Sequence, residues 1–219
     1  KALEAGFTGE QIIFNGTSKE VWELEMAINA DIYAIQVDSL YELSLIEETA
    51  RRLGKRANVS LRLVPAIESA THSGLQTALL TSKFGMMPDE AFEAFRQHKD
   101  SPHLNLCGIH LHIGSQNPDP DVYTEALREL INALERIHTE EGVKLRHINL
   151  GGGFPVDYLS GADIDLAGDH HSMLAAHYGP YAAIGTAYRD AAKGHHDLLD
   201  GVILLLEPGR SIIADAGIC

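Results

Sequence analysis

The segment VILLLEPGR, residues 202–210, holds the pattern that decides the fold. Five apolar residues in succession are followed at once by Glu207, Pro208, Gly209 and Arg210. Continuous rather than alternating hydrophobicity is typical of a strand that is buried on both faces, as in a parallel sheet. Ligand-binding residues of α/β proteins collect where such strands end. The segment therefore predicts a buried parallel strand whose carboxyl end carries part of a binding site.

The same pattern recurs along the chain. Short apolar runs lie at residues 12–14, 33–37, 59–64, 107–113 and 145–150. Amphipathic helical patterns separate several of them, at residues 21–27, 40–53, 89–98 and 122–141. We expect Ser18 to cap the first of these helices, and Gly54 and Gly142 to end the second and the fourth. Asp38 and Ser39 could cap the second. Strands that alternate with helices in this way indicate βαβ units in an α/β fold.

A barrel is favoured over an open sheet because polar or glycine-rich residues follow several different strands. They lie at residues 15–16, 38–39, 114–115, 151–153 and 207–210. In a (β/α)8 TIM barrel all strand ends meet at one rim, whereas an open sheet binds ligands at its switch point. The six predicted strands make an incomplete barrel of about six strand–helix units, with two more strands expected upstream. Residues 157–193 exceed an ordinary connection, and we expect a loop and a helix over the rim.

Composition limits the class of protein. The 219 residues carry a formal net charge of −14, which repels phosphate backbones and anionic lipids and argues against nucleic-acid binding. No apolar stretch in the sequence approaches the roughly 20 residues of a membrane span, so we expect no membrane association. Two cysteines, Cys107 and Cys219, cannot build a disulfide framework, which fits a reducing compartment such as the cytoplasm.

Glu207 is the most informative candidate. A carboxylate at the end of an inward-facing strand is unfavourable to bury unless it pairs with a cation. A protonated pyridine nitrogen is one such cation, and positive charge held there makes a cofactor ring an electron sink. The alternative is a structural ion pair of Glu207 with Arg210 or Arg62, since an arginine within a predicted strand also needs an anionic partner. A guanidinium directly after a glycine, as at Arg210, also suits phosphate.

Glycines at two strand ends suit an anion. Gly151, Gly152 and Gly153 allow backbone amides to approach an anion closely, although the same residues could equally form a tight βα turn. Gly114 and Ser115 offer a further amide and a hydroxyl at another strand end. That second donor group favours a phosphate site over a turn alone.

His110 and His112 lie two residues apart on a predicted strand and therefore share one face. They could ligate a metal, as His-x-His pairs do. Alternatively, His112 lies flat against an aromatic cofactor while His110 packs deeper. A metal needs further ligands at the strand ends, but His147 precedes its strand end and the last strand ends in Glu207. We therefore predict no metal.

These motifs, in this order, resemble the fold-type III pyridoxal-phosphate decarboxylases, and among them the diaminopimelate decarboxylase family. The resemblance rests on IHLHIGSQ at residues 109–116, NLGGGF at 149–154 and EPGR at 207–210, with KFG at 83–85 upstream. It runs in order through the whole chain and includes VDS at residues 37–39 and LRLVP at 61–65. The combination is specific to the family and less specific to one substrate.

The resemblance implies a TIM barrel of the alanine racemase-like type that binds pyridoxal 5'-phosphate. It implies decarboxylation of a basic amino acid, meso-diaminopimelate to L-lysine with release of CO2, by a homodimer. His112 and Glu207 would be catalytic, the first stacked on the cofactor ring and the second facing the pyridine nitrogen, with Arg62 beneath the ring. The other cofactor-binding residues would be Ser115, Gly151, Gly152, Gly153, Pro208, Gly209 and Arg210, the last also near the substrate carboxylate.

The chain departs from the family in two respects. Family members carry the Schiff-base lysine on the first barrel strand, and no lysine of this chain, Lys83 included, has a matching context. The family's C-terminal β-domain, with its catalytic cysteine, has no counterpart before Cys219. We therefore predict that residues 1–219 are a cofactor-binding barrel domain without its first strands and without the β-domain, and that this piece alone is inactive.

Three alternatives remain open. The substrate could be that of the arginine, ornithine, lysine or carboxynorspermidine decarboxylases, and residues 157–193 are where we expect such differences. The chain could be a non-catalytic homologue that binds a partner enzyme, although Glu207, His112 and the three glycines argue against this. It could also be a metal-dependent hydrolase of the TIM-barrel type.

Overall fold

The computed structural model describes residues 1–65, 84–117, 119–156 and 179–213. In these ranges six strands form one parallel sheet in the order β1-β2-β3-β4-β5-β6. The strands are β1 Ile13–Phe14, β2 Ala34–Val37, β3 Ala57–Leu63, β4 Leu104–Leu111, β5 His147–Asn149 and β6 Ile203–Leu205. All six predicted strands are confirmed. Their order follows the chain, as in a TIM barrel, and does not reverse at a switch point as in a doubly wound sheet.

The sheet curls so that its first and last strands approach each other. Asn15 follows β1 and donates from Nδ2 to the carboxylate of Glu207, which follows β6, over 2.7 Å. At the opposite end of the sheet, Arg146 before β5 forms an ion pair of 2.7 Å with Glu10 before β1. In a flat sheet, five strand spacings would separate β1 from β6 by roughly 24 Å. The sheet is therefore a sector of a barrel.

Helices cover the outer face of the sheet. They are α1 Val21–Asn29, α2 Leu40–Leu53, α3 Pro88–His98, α4 Pro120–Glu141, α5 Gly179–Gly194 and α6 His196–Leu199, with α7 Arg210–Ile213 after β6. The predicted ends of α2 and α4 are confirmed, because Gly54 and Gly142 adopt left-handed φ angles of 65° and 67°. Ser39 caps α2 by accepting a hydrogen bond from the backbone N–H of Glu42. Among the described residues, no helix is both long and apolar enough to cross a membrane.

The predicted cap of α1 is wrong. The helix begins at Val21, and the N–H of the preceding Glu20 donates to the Glu23 carboxylate over 2.8 Å. Ser18 has a φ of 57°, in the left-handed region that few residues other than glycine adopt. This turn directs the next side chain, Lys19, into the protein, where the residue is only 7% exposed.

The predicted arrangement of residues 157–193 is corrected in part. Residues 157–178, like Lys83 and Cys219, lie outside the described ranges. The remainder forms α5, which connects β5 to β6 and packs beside α4 instead of lying over the rim. The ring of Tyr181 stacks on Phe154 with centroids 4.2 Å apart, and this fixes the beginning of the helix against the sheet.

The two faces of strands β2 to β5 are both buried, as predicted, but they differ in chemistry. Outward side chains such as Leu61, Ile109 and Ile148 are fully buried among the helices. The inner face is polar and equally buried, and it carries Gln36, Ser60, His110, His147 and Asn149. The interior of the barrel is therefore suited to a polar site.

His147 makes the stability of the fold depend on pH. Its ring lies beside that of Tyr33, with centroids 5.2 Å apart, and burial lowers the pKa of His147 from 6.5 to about 4. Between these values the unfolded chain binds a proton that the folded chain excludes, so stability falls as the pH falls. We expect the free energy of unfolding to drop by about 3 kcal/mol from pH 6.5 to pH 4 through this residue. Urea unfolding at several pH values measures how steeply the free energy of unfolding depends on pH, and His147→Gln should make this dependence weaker. An equally strong pH dependence in the variant would contradict the prediction.

Candidate active site

The carboxyl ends of the strands surround a cavity of about 690 Å³. Eight of the ten predicted cofactor-binding residues line it, namely Arg62, His112, Ser115, Gly152, Gly153, Glu207, Gly209 and Arg210. Asn15, Phe84 and His110 line it as well. The two other candidates, Gly151 and Pro208, adjoin lining residues in the chain. Residues from distant parts of the chain therefore converge on one site.

The Glu207 carboxylate is held by two neutral amides. Asn149 donates from Nδ2 to Oε1 over 2.8 Å, and Asn15 donates from Nδ2 to Oε2 over 2.7 Å. The alternative ion pair of Glu207 with Arg62 is wrong, because the Arg62 guanidinium lies 3.1 Å from Asp38 Oδ1. Arg62 therefore does not neutralise Glu207.

Arg62 and Asp38 form a largely buried ion pair at the inner edge of the cavity. Their side chains are 13% and 11% exposed. The Arg62 guanidinium also lies 5.5 Å from the centre of the Phe84 ring. Asp38 thus supplies the anionic partner that an arginine within a buried strand needs, and the Arg62 side chain still lines the cavity.

Close contacts between strand ends require the three glycines. A side chain on Gly152 would overlap the carbonyl oxygen of Glu207, and one on Gly153 would overlap that of Gly114. Gly153 also has a φ of 89°, which favours glycine. The three glycines therefore allow the ends of β4, β5 and β6 to pack closely together. That their amides bind phosphate stays a prediction.

Gly153→Ala tests this packing. We expect the free energy of unfolding to fall by roughly 2–4 kcal/mol, because left-handed strain adds to an overlap with backbone atoms that cannot move aside. Gly185→Ala is the matched control, since Gly185 lies within α5 and no atom lies within 4 Å of a side chain placed there. Alanine there should stabilise the helix by about 0.5–1 kcal/mol. Urea unfolding measures both variants, and equal stability of Gly153→Ala and the wild type would contradict the prediction.

The two histidines lie at different depths. His112 is half-buried, and its Nδ1 accepts a long hydrogen bond from the N–H of Gly152, 3.4 Å away. Burial, and after it the charge of Arg62, lowers the pKa of His112, against a smaller opposite effect of Glu207. His110 packs deeper, as predicted, with 1% of its surface exposed, and burial holds its pKa well below the usual value. Both rings are therefore neutral near pH 7.

In the described part of the chain, no group of three or more His, Cys, Asp or Glu residues is placed to hold a metal ion.

The residues that hold the cavity-lining side chains in place were not predicted from the sequence. Asn15 was expected only to lie at the rim, and no role was foreseen for Lys19. The Lys19 ammonium donates to the carbonyl oxygens of Gly16 and Gln36 and lies 2.8 Å from Glu42 Oε1. These bonds anchor the loop after β1 that carries Asn15. One feature of the sequence could have indicated the buried lysine. Glu42 is a carboxylate on the apolar side of an amphipathic helix, and such a carboxylate needs a buried cation.

Comparison with known proteins identifies the family. The sequence profile described as "Pyridoxal-dependent decarboxylase, pyridoxal binding domain" matches residues 1–214. The diaminopimelate decarboxylase of Methanocaldococcus jannaschii is 34% identical over 210 residues, which cover 95% of this chain and 44% of the relative. That of Neisseria meningitidis serogroup A is 34% identical over 217 residues, which cover 99% of this chain and 48% of the relative.

Solved structures agree on the fold. The crystal structure of the M. jannaschii diaminopimelate decarboxylase matches 96% of this chain and 46% of its own, with 33% identity and a TM-score of 0.79. The Helicobacter pylori diaminopimelate decarboxylase, complexed with L-lysine, matches 96% and 48%, with 31% identity and a TM-score of 0.74. The chain spans about half the length of the relatives it matches. The predicted fold class, an incomplete TIM barrel, is confirmed, and the chain belongs to the family of pyridoxal-binding domains of pyridoxal-dependent decarboxylases.

Proposed function

We propose that this chain is the cofactor-binding part of a pyridoxal 5'-phosphate-dependent carboxy-lyase that converts meso-diaminopimelate to L-lysine and CO2. The observation that carries the proposal is the single cavity that Glu207, held by neutral amides, shares with Gly153, Ser115 and Arg210. Family membership supports the cofactor. The names of the relatives, and the L-lysine in the H. pylori complex, support the substrate and product.

The proposal concerns an enzyme about twice as long as this chain. The matched relatives have about that length, and the described residues supply six strands of a barrel that has eight. Ile203 on β6 is 47% exposed, as expected of a strand face that further strands would cover. We propose that those strands and a β-domain complete the enzyme, and that it works as a homodimer in the cytoplasm. The 219 residues alone should be inactive.

The residues of the cavity fit pyridoxal 5'-phosphate. A phosphate needs N–H or O–H donors and positive charge, and Ser115, Gly153 and Arg210 can supply these from three strand ends. A protonated pyridine nitrogen needs a carboxylate, which Glu207 supplies. When bound, the cofactor provides an electron sink for the electron pair left as the substrate carboxylate departs as CO2.

The chain's own residues have separate tasks in this scheme. Glu207 holds the proton on the ring nitrogen, since its carboxylate is fixed and can accept a further hydrogen bond. Neutral His112 offers a flat ring without a competing positive charge. Arg62 lies in the cavity wall with its charge balanced by Asp38. Arg210 can bind the phosphate or the substrate carboxylate.

Release of CO2 by the purified full-length protein tests the function. We expect release from meso-diaminopimelate, with L-lysine as the product. Release only from ornithine, arginine or lysine would assign the protein to a related decarboxylase instead. No release from any basic amino acid, by a protein shown to bind the cofactor, would overturn the proposal. Metal analysis and the visible absorbance of the same sample separate it from a metal-dependent hydrolase.

A further inference from the structure

Two asparagines fix the orientation of the Glu207 carboxylate. We propose that Asn15 and Asn149 form an amide clamp that aims Glu207 at the ring nitrogen of the bound cofactor, an inference that rests on the function proposed above. Each asparagine acts through Glu207, so both are positioning residues. Asn15 lies outside the motifs that pointed to the cofactor, and Asn149, although it begins the NLGGGF motif, was given no role there.

Asn149 forms the buried half of the clamp. It is the last residue of β5 and is fully buried. Its Nδ2 donates to Glu207 Oε1 over 2.8 Å, and its Oδ1 accepts from the N–H of Gly151 over 2.8 Å. The second bond decides which way the amide points, because a reversed amide would set its oxygen against a carboxylate oxygen. Asn149 is therefore fixed as a donor to Glu207.

Asn15 repeats this arrangement from β1. Its Nδ2 donates to Glu207 Oε2 over 2.7 Å, while its Oδ1 accepts from the N–H of Gly16 over 2.8 Å. The carbonyl oxygen of Gly16 accepts in turn from the ammonium of Lys19, which is paired with Glu42 at 2.8 Å. The exposed half of the clamp is thus anchored to a buried ion pair.

The clamp restrains Glu207 without cancelling its charge. An ionised carboxylate has about four lone-pair sites, and the clamp takes one on each oxygen. A carboxylate held on both oxygens cannot rotate freely, so its remaining lone pairs keep a fixed direction. An amide has no net charge, whereas an arginine in the same place would offset the negative charge that a ring cation needs. Neutral donors are therefore the suitable residues for this task.

A double-mutant cycle in the full-length protein tests the clamp, with ¹⁵N-labelled pyridoxal 5'-phosphate as the probe. The dissociation constant and the ¹⁵N chemical shift of the ring nitrogen are measured. We expect Asn15→Ala and Asn149→Ser each to weaken binding roughly 10-fold and to move the shift toward that of an unprotonated nitrogen. In a Glu207→Gln background, Asn15→Ala should change the dissociation constant by less than about 2-fold, because no carboxylate is left to aim.

Each outcome decides between the clamp and its rivals. Asn105→Ala is the matched control, since Asn105 donates to Asn58 Oδ1 over 2.8 Å at the opposite end of the sheet, and it should leave the shift unchanged. If Asn15→Ala weakens binding equally with and without Glu207, or does not move the shift, the clamp is overturned while the proposed function stands. A wild-type protein that does not bind the cofactor overturns both. Asn15 is exposed, so its variant decides the matter even where Asn149→Ser fails to fold.

Discussion

Replacing Glu207 by glutamine is expected to lower the turnover number for decarboxylation by about 10²–10³-fold. Glutamine has nearly the same shape, but it carries no negative charge to hold a proton on the ring nitrogen. The missing charge matters most when the substrate carboxylate leaves and its electron pair must be stabilised. The turnover number should therefore fall by a larger factor than KM rises. Steady-state CO2 release from meso-diaminopimelate by the full-length protein measures both constants.

The matched control for this variant is Glu140→Gln. Glu140 lies at the end of α4 in an exposed ion pair with Arg136, at 2.9 Å, and we expect it to keep full activity. A turnover number for Glu207→Gln within about 3-fold of the wild type would mean that the charge is not used in the reaction. In that case Glu207 would serve only to join the ends of β1, β5 and β6.

The strands could be predicted from the sequence because a strand that is buried on both faces is a short run rich in apolar residues. Five of the six predicted runs are followed directly by a glycine or a polar residue, and the exception is the run at 59–64, which is followed by Pro65. Polar residues within the runs, such as Ser60 and His110, belong to the buried inner face of the sheet. No short segment of the sequence predicts the curl of the sheet. It is visible only in contacts such as Asn15 with Glu207, which lie 192 residues apart, and Arg146 with Glu10.

The cavity residues could be predicted where they belong to compact motifs, as His112 and Glu207 do. Their support could not, because it depends on partners that are distant in the chain. A lysine two residues before a helix has the appearance of a surface residue. Lys19 is buried only because Ser18 takes a left-handed conformation and Glu42 faces inward from α2. Residue type alone does not specify such a turn.

The largest effect on stability is expected from Lys19→Met, which should lower the free energy of unfolding by about 3–5 kcal/mol. The Lys19 ammonium and the Glu42 carboxylate lie 2.8 Å apart, with side chains 1% and 9% exposed. Methionine fills a similar volume but leaves Glu42 buried without its cation. It also leaves the carbonyl oxygens of Gly16 and Gln36 without the donor they share. Urea unfolding measures the loss.

Two further variants separate the buried charge from a general packing effect. Adding Glu42→Leu to Lys19→Met should restore part of the stability, because no unpaired charge then remains. Recovery should be incomplete, since Glu42 Oε2 also accepts from the N–H of Asp38 over 2.8 Å. Lys193→Met breaks an ion pair whose side chains are 79% and 63% exposed, and it should have no measurable effect. If Lys19→Met and Lys193→Met were equally stable, the buried pair would not anchor the loop that carries Asn15, and the amide clamp would lack its support on the β1 side.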